Sequence, residues 1–313
     1  MDMEITCRSP IDPMGKPVIY IHRLPSNIKI QYINSVIYNL LSQCDVVIIN
    51  YEDYVINLLP DNIIHITLNS NAYYKNYKPL TKYPKKLKSL RINSHIFEYY
   101  NSLPNSLETL TIFSIDKQKI MPKYISNLPL SLKNLLIMNT IYQFNIIYPE
   151  GLQHLDITLT NLEQLYNLPN SLNTLIINLS YFNVKDISHP DDYKHFEALV
   201  NNLPDNITHL SITDIPLFGY LYNYRNNYIS LTSNINITKL PNKLEYLFIK
   251  NCNYKMFENY QFSINNIHIS EIENNSNMQN ILNSYIKKLN PDMKINSDDE
   301  YTIKYKEPFY PNI

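Results

Sequence analysis

The sequence predicts an α/β solenoid: a curved stack of short coils with a parallel sheet on its concave face and a helical cap at each end. The first observation is a ten-residue pattern, LPNSLETLTI at Leu103–Ile112, that returns at Leu59–Leu68, Tyr83–Ile92, Leu128–Ile137, Tyr148–Ile157, Leu168–Ile177, Leu203–Ile212 and Leu240–Ile249. The second is its aliphatic spacing. Counted from the fifth residue of each copy, large aliphatic side chains fall at positions 1, 4 and 6, as Leu107, Leu110 and Ile112 do. The third is the interval. Position 1 is held by Ile63, Leu87, Leu107, Leu132, Leu152, Leu172, Ile207 and Leu244, and the short steps are 20 to 25 residues, enough for one strand and one return crossover.

Positions 4 and 6 lie on one face of a strand, and 3, 5 and 7 on the other. So short a strand cannot bury its aliphatic face alone, so each copy stacks on its neighbours. Eight of the 19 prolines hold the second place of the ten-residue unit. There a fixed φ and a missing donor give a rigid extended entry to the strand at no cost in ladder bonds. Two degenerate copies obey the same rule: Cys44, Val47 and Ile49, and then Ile264, Ile267 and Ile269. About ten coils therefore fill residues 44–270, with longer intervals at 178–203 and 213–240.

Taken in order, residues 1–23 read as an arm or edge strand, with Val18–Ile21 the best strand candidate. Ser26 can cap a helix to about Gln43, with Ile28, Tyr32, Val36 and Leu40 on one stripe, covering the open end of the first coil. The stretch from Tyr73 to Arg91 holds seven basic residues among tyrosines and no acid. Such a run is either a solvated face of one coil or a surface for an acidic partner. Pro190 opens a crossover helix whose stripe is Tyr193, Phe196, Val200 and Leu203. The second long interval crowds Tyr220, Tyr222 and Tyr224 into an Asn-rich loop, a paratope-like composition in a chain that holds 28 tyrosines. After the last coil, Met278, Ile281, Leu282, Tyr285, Ile286 and Leu289 mark a C-terminal capping helix that Asn290–Pro291 stops, leaving a tail within residues 271–313.

Composition excludes several classes. The formal net charge of −1 gives no general attraction to nucleic acid or to an anionic membrane. Three glycines, all far apart, exclude a glycine-rich phosphate cradle. Three scattered cysteines favour a reducing compartment, and the acidic N-terminus lacks the pattern of a secretory signal, so a cytoplasmic location is expected. His65, His154 and His209 share position 3. The nearest two belong to repeats two coils apart, about 10 Å between backbones, too far for one metal. No metal, cofactor or catalytic group is assigned, and nothing in the sequence points to a hydrolase site.

L-x-x-L-x-L at this period resembles the leucine-rich repeat. The preceding L-P-x-S is similar to the short bacterial-effector variety and to the FNIP repeats of amoebae and giant viruses. The chain departs from that pattern at the ninth position, where Asn71, His95, Ile115, Thr140, Thr160, Ser180, Ile215 and Cys252 stand in place of a regular asparagine spine. The resemblance, with the A/T-rich codon preference, implies an amoeba-associated source and a non-enzymatic scaffold that binds a protein of the host cell through its concave face. Phe113, Leu136, Met138, Ile176 and Phe248 make that face more apolar than solubility requires, and the patch is expected to centre on Phe113, Leu136 and Met138. A second reading takes residues 24–43, LPSNIKIQYI onward, as part of an F-box, which would make the chain a substrate adaptor of a ubiquitin ligase.

Overall fold

The computed structural model describes residues 4–8, 18–23, 46–50, 59–69, 83–97, 103–113, 124–125, 127–138, 145–159, 162–179, 190–213, 237–250 and 266–270. Strands β1 (Glu4–Arg8), β2 (Val18–Arg23), β3 (Val46–Asn50), β4 (His65–Asn69), β5 (Ser89–Asn93), β6 (Thr109–Phe113), β7 (Tyr124–Ile125) and β8 (Asn134–Met138) come first. Then follow β9 (Asn145–Ile146), β10 (His154–Thr158), β11 (Thr174–Asn178), β12 (His209–Thr213), β13 (Tyr246–Lys250) and β14 (Asn266–Ser270). Helix is sparse among the described residues: one turn, α1 (Ser94–Phe97), a 3-10 turn at Leu162–Leu165, and α2 (Pro190–Asn201). The architecture is a parallel-strand solenoid. Both expected capping helices, residues 26–43 and 271–313, lie outside the described residues.

The chain forms two compact units. In the first, β2 to β6 and then β8 pair in parallel in sequence order, and β1 closes antiparallel on β2. In the second, β10 to β14 pair in parallel in the same way, while β7 and β9 form a separate two-stranded ribbon. Register is set by the repeat. Leu90 pairs with Leu110 and Leu110 with Leu135, so each position-4 residue meets the next. The two degenerate copies form β3 and β14 at the places their spacing predicts. β1 answers to no repeat and was not assigned from the sequence.

The aliphatic triplets make the core. Leu87, Leu90 and Ile92, Leu107, Leu110 and Ile112, and Leu132, Leu135 and Ile137 are all fully buried, as are Leu152, Leu155 and Ile157 in the second unit. At about 25 cal/mol per Å2 of apolar surface removed from water, each such side chain contributes roughly 1.5–3 kcal/mol. Position 2 has its own device. The carbonyl of Lys88 accepts from the backbone N–H of both Glu108 and Thr109, and that of Asn173 from Thr208 and His209. Two backbone donors converging on one oxygen thus tie the next coil down as its strand begins.

The recurrent proline acts differently from expectation. In every one of the eight copies the prolyl carbonyl accepts a hydrogen bond from the position-1 N–H three residues on, at 3.0 to 3.3 Å. L-P-x-x-L is therefore a tight turn rather than an extended entry. Proline begins the turn with φ already fixed, and it forces the residue before it into extended backbone. The serine in L-P-x-S-L then joins coils: Ser106 Oγ donates to the Leu87 carbonyl at 2.7 Å, Ser131 Oγ to Leu107 at 2.6 Å and Ser171 Oγ to Leu152 at 2.5 Å.

The crossover helix forms where its periodicity placed it. Pro190 sits at its start, and Phe196, Val200 and Leu203 are buried. It packs against the 3-10 turn at Leu162–Leu165. The ninth-position spine falls outside the described residues except at His95 in α1.

Candidate partner-binding face

Positions 3, 5 and 7 form the strand face opposite the aliphatic core. In the first unit this face is largely closed. Phe113 is 8% exposed and Leu136 6%, and Thr109 and Thr111 are buried beside them. The expectation of a solvated apolar patch centred on Phe113, Leu136 and Met138 is therefore corrected: Phe113 and Leu136 are buried, and only Met138 is half-buried. One physical cause is on the same sheet. The Arg91 guanidinium lies over the Phe113 ring, 4.7 Å from its centroid, a cation–π contact that shields the ring from water. Asn134 Nδ2 donates to Thr109 Oγ1 at 3.1 Å, closing the position-3 row between β6 and β8.

In the second unit Ile176 and Phe248 are half-buried, with the small, buried Ser211 between them in register. His209 is exposed and its ring stacks on Tyr246, with centroids 5.9 Å apart and planes at 28°. Thr208 Oγ1 donates to the Asn173 carbonyl at 3.1 Å and lies 2.9 Å from His209 Nδ1. Tyr220, Tyr222 and Tyr224 lie outside the described residues.

The histidines of position 3 are not alike. His154 and His209 flank Thr174, two coils apart as the spacing implied. His154 is half-buried, and desolvation lowers its pKa to about 4. Two residues along the same face, Asp156 is pushed up to about 6, also by burial. Sequence reasoning passed over Asp156; its place at position 5 beside Ile176 was the available signal. It also missed the His209–Tyr246 stack, although the two are third positions of consecutive copies.

Two lysines of the basic stretch, Lys85 and Lys88, are engaged in ion pairs. Lys85 Nζ pairs with Asp61 at 2.9 Å, and Glu108 accepts from both Lys88 and Lys133, the latter at 3.3 Å. The Lys88 hydrogen bond, with help from Lys133, holds the Glu108 carboxyl below its ordinary range. These pairs step from coil to coil as a solvated ladder worth little individually. Lys75, Lys78 and Lys82 lie outside the described residues.

Among the described residues no group of three or more His, Cys, Asp or Glu is placed to hold a metal, and no helix is long and apolar enough to cross a membrane. Compared with known protein families and with curated proteins, the chain matches none.

Proposed function

We propose that this chain is a non-enzymatic leucine-rich-repeat scaffold, FNIP-like in its L-P-x-S turns, with helical caps at both ends. It binds a protein partner through the strand face that the repeat makes concave. The observation that carries the reading is the contrast within one sheet: positions 1, 4 and 6 are closed core, whereas Ile176 and Phe248 keep partly open apolar surface around exposed His209. Large aliphatic and aromatic side chains left half-open on a rigid strand face are what a protein interface uses as anchors. The proposed setting is the cytoplasm of an amoebal host, with the partner a host protein.

The adaptor reading loses its support at the N-terminus. A three-helix F-box needs the first 45 residues, but β1 and β2 take up Glu4–Arg8 and Val18–Arg23. β2 also pairs in parallel with β3.

The test is affinity capture from amoebal lysate with wild type, an Ile176→Asp, Phe248→Asp double variant and a Leu136→Asp, Met138→Asp double variant. Loss of specific partners with the first pair is expected. Equal recovery from wild type and the first pair would discard the strand-face reading.

A further inference from the structure

We propose that β1 is a self-association edge: two copies of this chain pair β1 with β1 antiparallel about a two-fold axis through Thr6, so that the sheets of their first units run on as one. Association through this edge does not need the strand face proposed above.

The backbone supplies the opportunity. β1, the five residues EITCR, stands at the end of the strand order in the first unit. It has β2 on one side, and no other described strand pairs with it. A strand so placed offers a row of main-chain donors and acceptors to a further strand. The usual devices against such pairing are missing: β1 contains no proline and no lysine, and the extra residue at the register shift, His22, belongs to β2. From Ile5 to Arg8 the pairing with β2 is regular.

The register supplies continuity. Ile5 and Cys7 pair with Ile21 and Ile19, those with Ile49 and Val47, and those in turn with Leu68 and Ile66, which are buried. The rows that carry positions 4 and 6 thus run from the core out to β1 and end there.

The order of residues selects the partner. A two-fold axis perpendicular to the sheet sets identical strands antiparallel and keeps like faces on the same side. With Thr6 on the axis the whole strand pairs. Ile5 stands opposite Cys7 of the second copy, which carries both apolar rows into the neighbouring molecule. Glu4 stands opposite Arg8 of the second copy, and symmetry repeats that pair. Moving the axis to Ile5 or Cys7 loses the opposition of acid and base and leaves one end of the strand unpaired. Within its own sheet the row of Arg8 runs through Val18, Val46 and His65 and holds no acid. Opposite charges directly across an antiparallel pair are favourable, and like charges there are not.

The experiment is sedimentation equilibrium of the full chain, in which a concentration-dependent dimer is expected. Arg8→Glu alone and Glu4→Arg alone each set like charges opposite one another twice, and each should raise the dimer Kd roughly tenfold. An equimolar mixture of the two restores both acid–base oppositions and should associate as tightly as wild type. A second measurement is independent of charge. In a Cys7→Ala background, Thr6→Cys should give a reducible dimer under mild oxidation, because directly opposite Cα atoms about 4.5–5.5 Å apart are within disulfide reach. Arg8→Cys in the same background lies roughly 14 Å from its symmetry mate and should not. Glu4 also stands opposite Arg23 within the chain; if circular dichroism shows that Glu4→Arg disturbs the fold, the cysteine pair decides. A monomer at every concentration, a dimer indifferent to both charge reversals, a mixture of folded variants no tighter than either alone, or equal cross-linking of the two cysteine variants overturns the proposal.

Discussion

The serine before position 1 binds the preceding coil, not its own. Removing one such hydroxyl should therefore loosen a junction without opening a cavity. Ser131→Ala and Ser171→Ala are each expected to lower stability by about 0.5–1.5 kcal/mol in urea unfolding; no change would show that water replaces the bond without loss. The two buried ionisable groups of β10 predict a pH signature. An unfolded chain protonates His154 at its ordinary 6.5 but the folded protein resists to about 4, so its contribution is complete above 6.5 and lost as the pH falls through that window. Asp156 runs the other way: the folded carboxyl takes its proton near 6 and the unfolded one at 3.8, so stability rises as the pH falls between them. Between about 4 and 6 the slopes oppose, each at most about 1.4 kcal/mol per pH unit, and wild type should be nearly flat. Asp156→Asn should then lose stability on acidification from pH 6 to 4, and His154→Gln should gain it, by denaturant titration at each pH. Parallel curves for all three proteins would refute the burial of this pair. None of this was legible beforehand, because position 3 or 5 says which face a residue takes and nothing about what stands over it.

At the scale of the element, each coil turns on proline and is held by its triplet, and the two contributions differ in size. Leu132→Ala leaves a void in a fully buried place and is expected to cost about 2–5 kcal/mol. Pro129→Ala keeps the turn bond to Leu132 and acts mainly by freeing the unfolded chain, for about 0.4–1 kcal/mol. Thermal or urea unfolding separates them, and equal losses would contradict the turn assignment. The strands and α2 were readable because their periods, two and 3.6, are local. The turn was not, since a fixed φ suits both an extended entry and a corner; only the carbonyl's partner distinguishes them. β1 was missed for a related reason: EITCR is too short to specify an antiparallel partner.

For the molecule as a whole, parallel coils interact chiefly with their neighbours, so damage should spread along the stack by proximity. Within the first unit, Leu110→Ala is expected to raise amide exchange first in β5, β6 and β8, with β2 and β3 less affected, as read by hydrogen–deuterium exchange. Uniform acceleration in every strand of that unit would mean that it opens only as one cooperative body. The same nearest-neighbour logic explains the candidate face. Ile176 and Phe248 are separated by one small residue in register, an arrangement available only once consecutive copies are stacked.

The chain by itself determined the repeat, the parallel order of its strands, their register and the aliphatic core, because a side chain that must alternate and recur admits one way of stacking. It determined the crossover helix at Pro190 for the same local reason. Tertiary structure alone decided which part of the opposite face stays open: it closed Phe113 beneath Arg91 and buried Leu136, left His209 outward on Tyr246, and desolvated His154 and Asp156. Burial on that face depends on what neighbouring coils set beside each residue, and no periodicity encodes it.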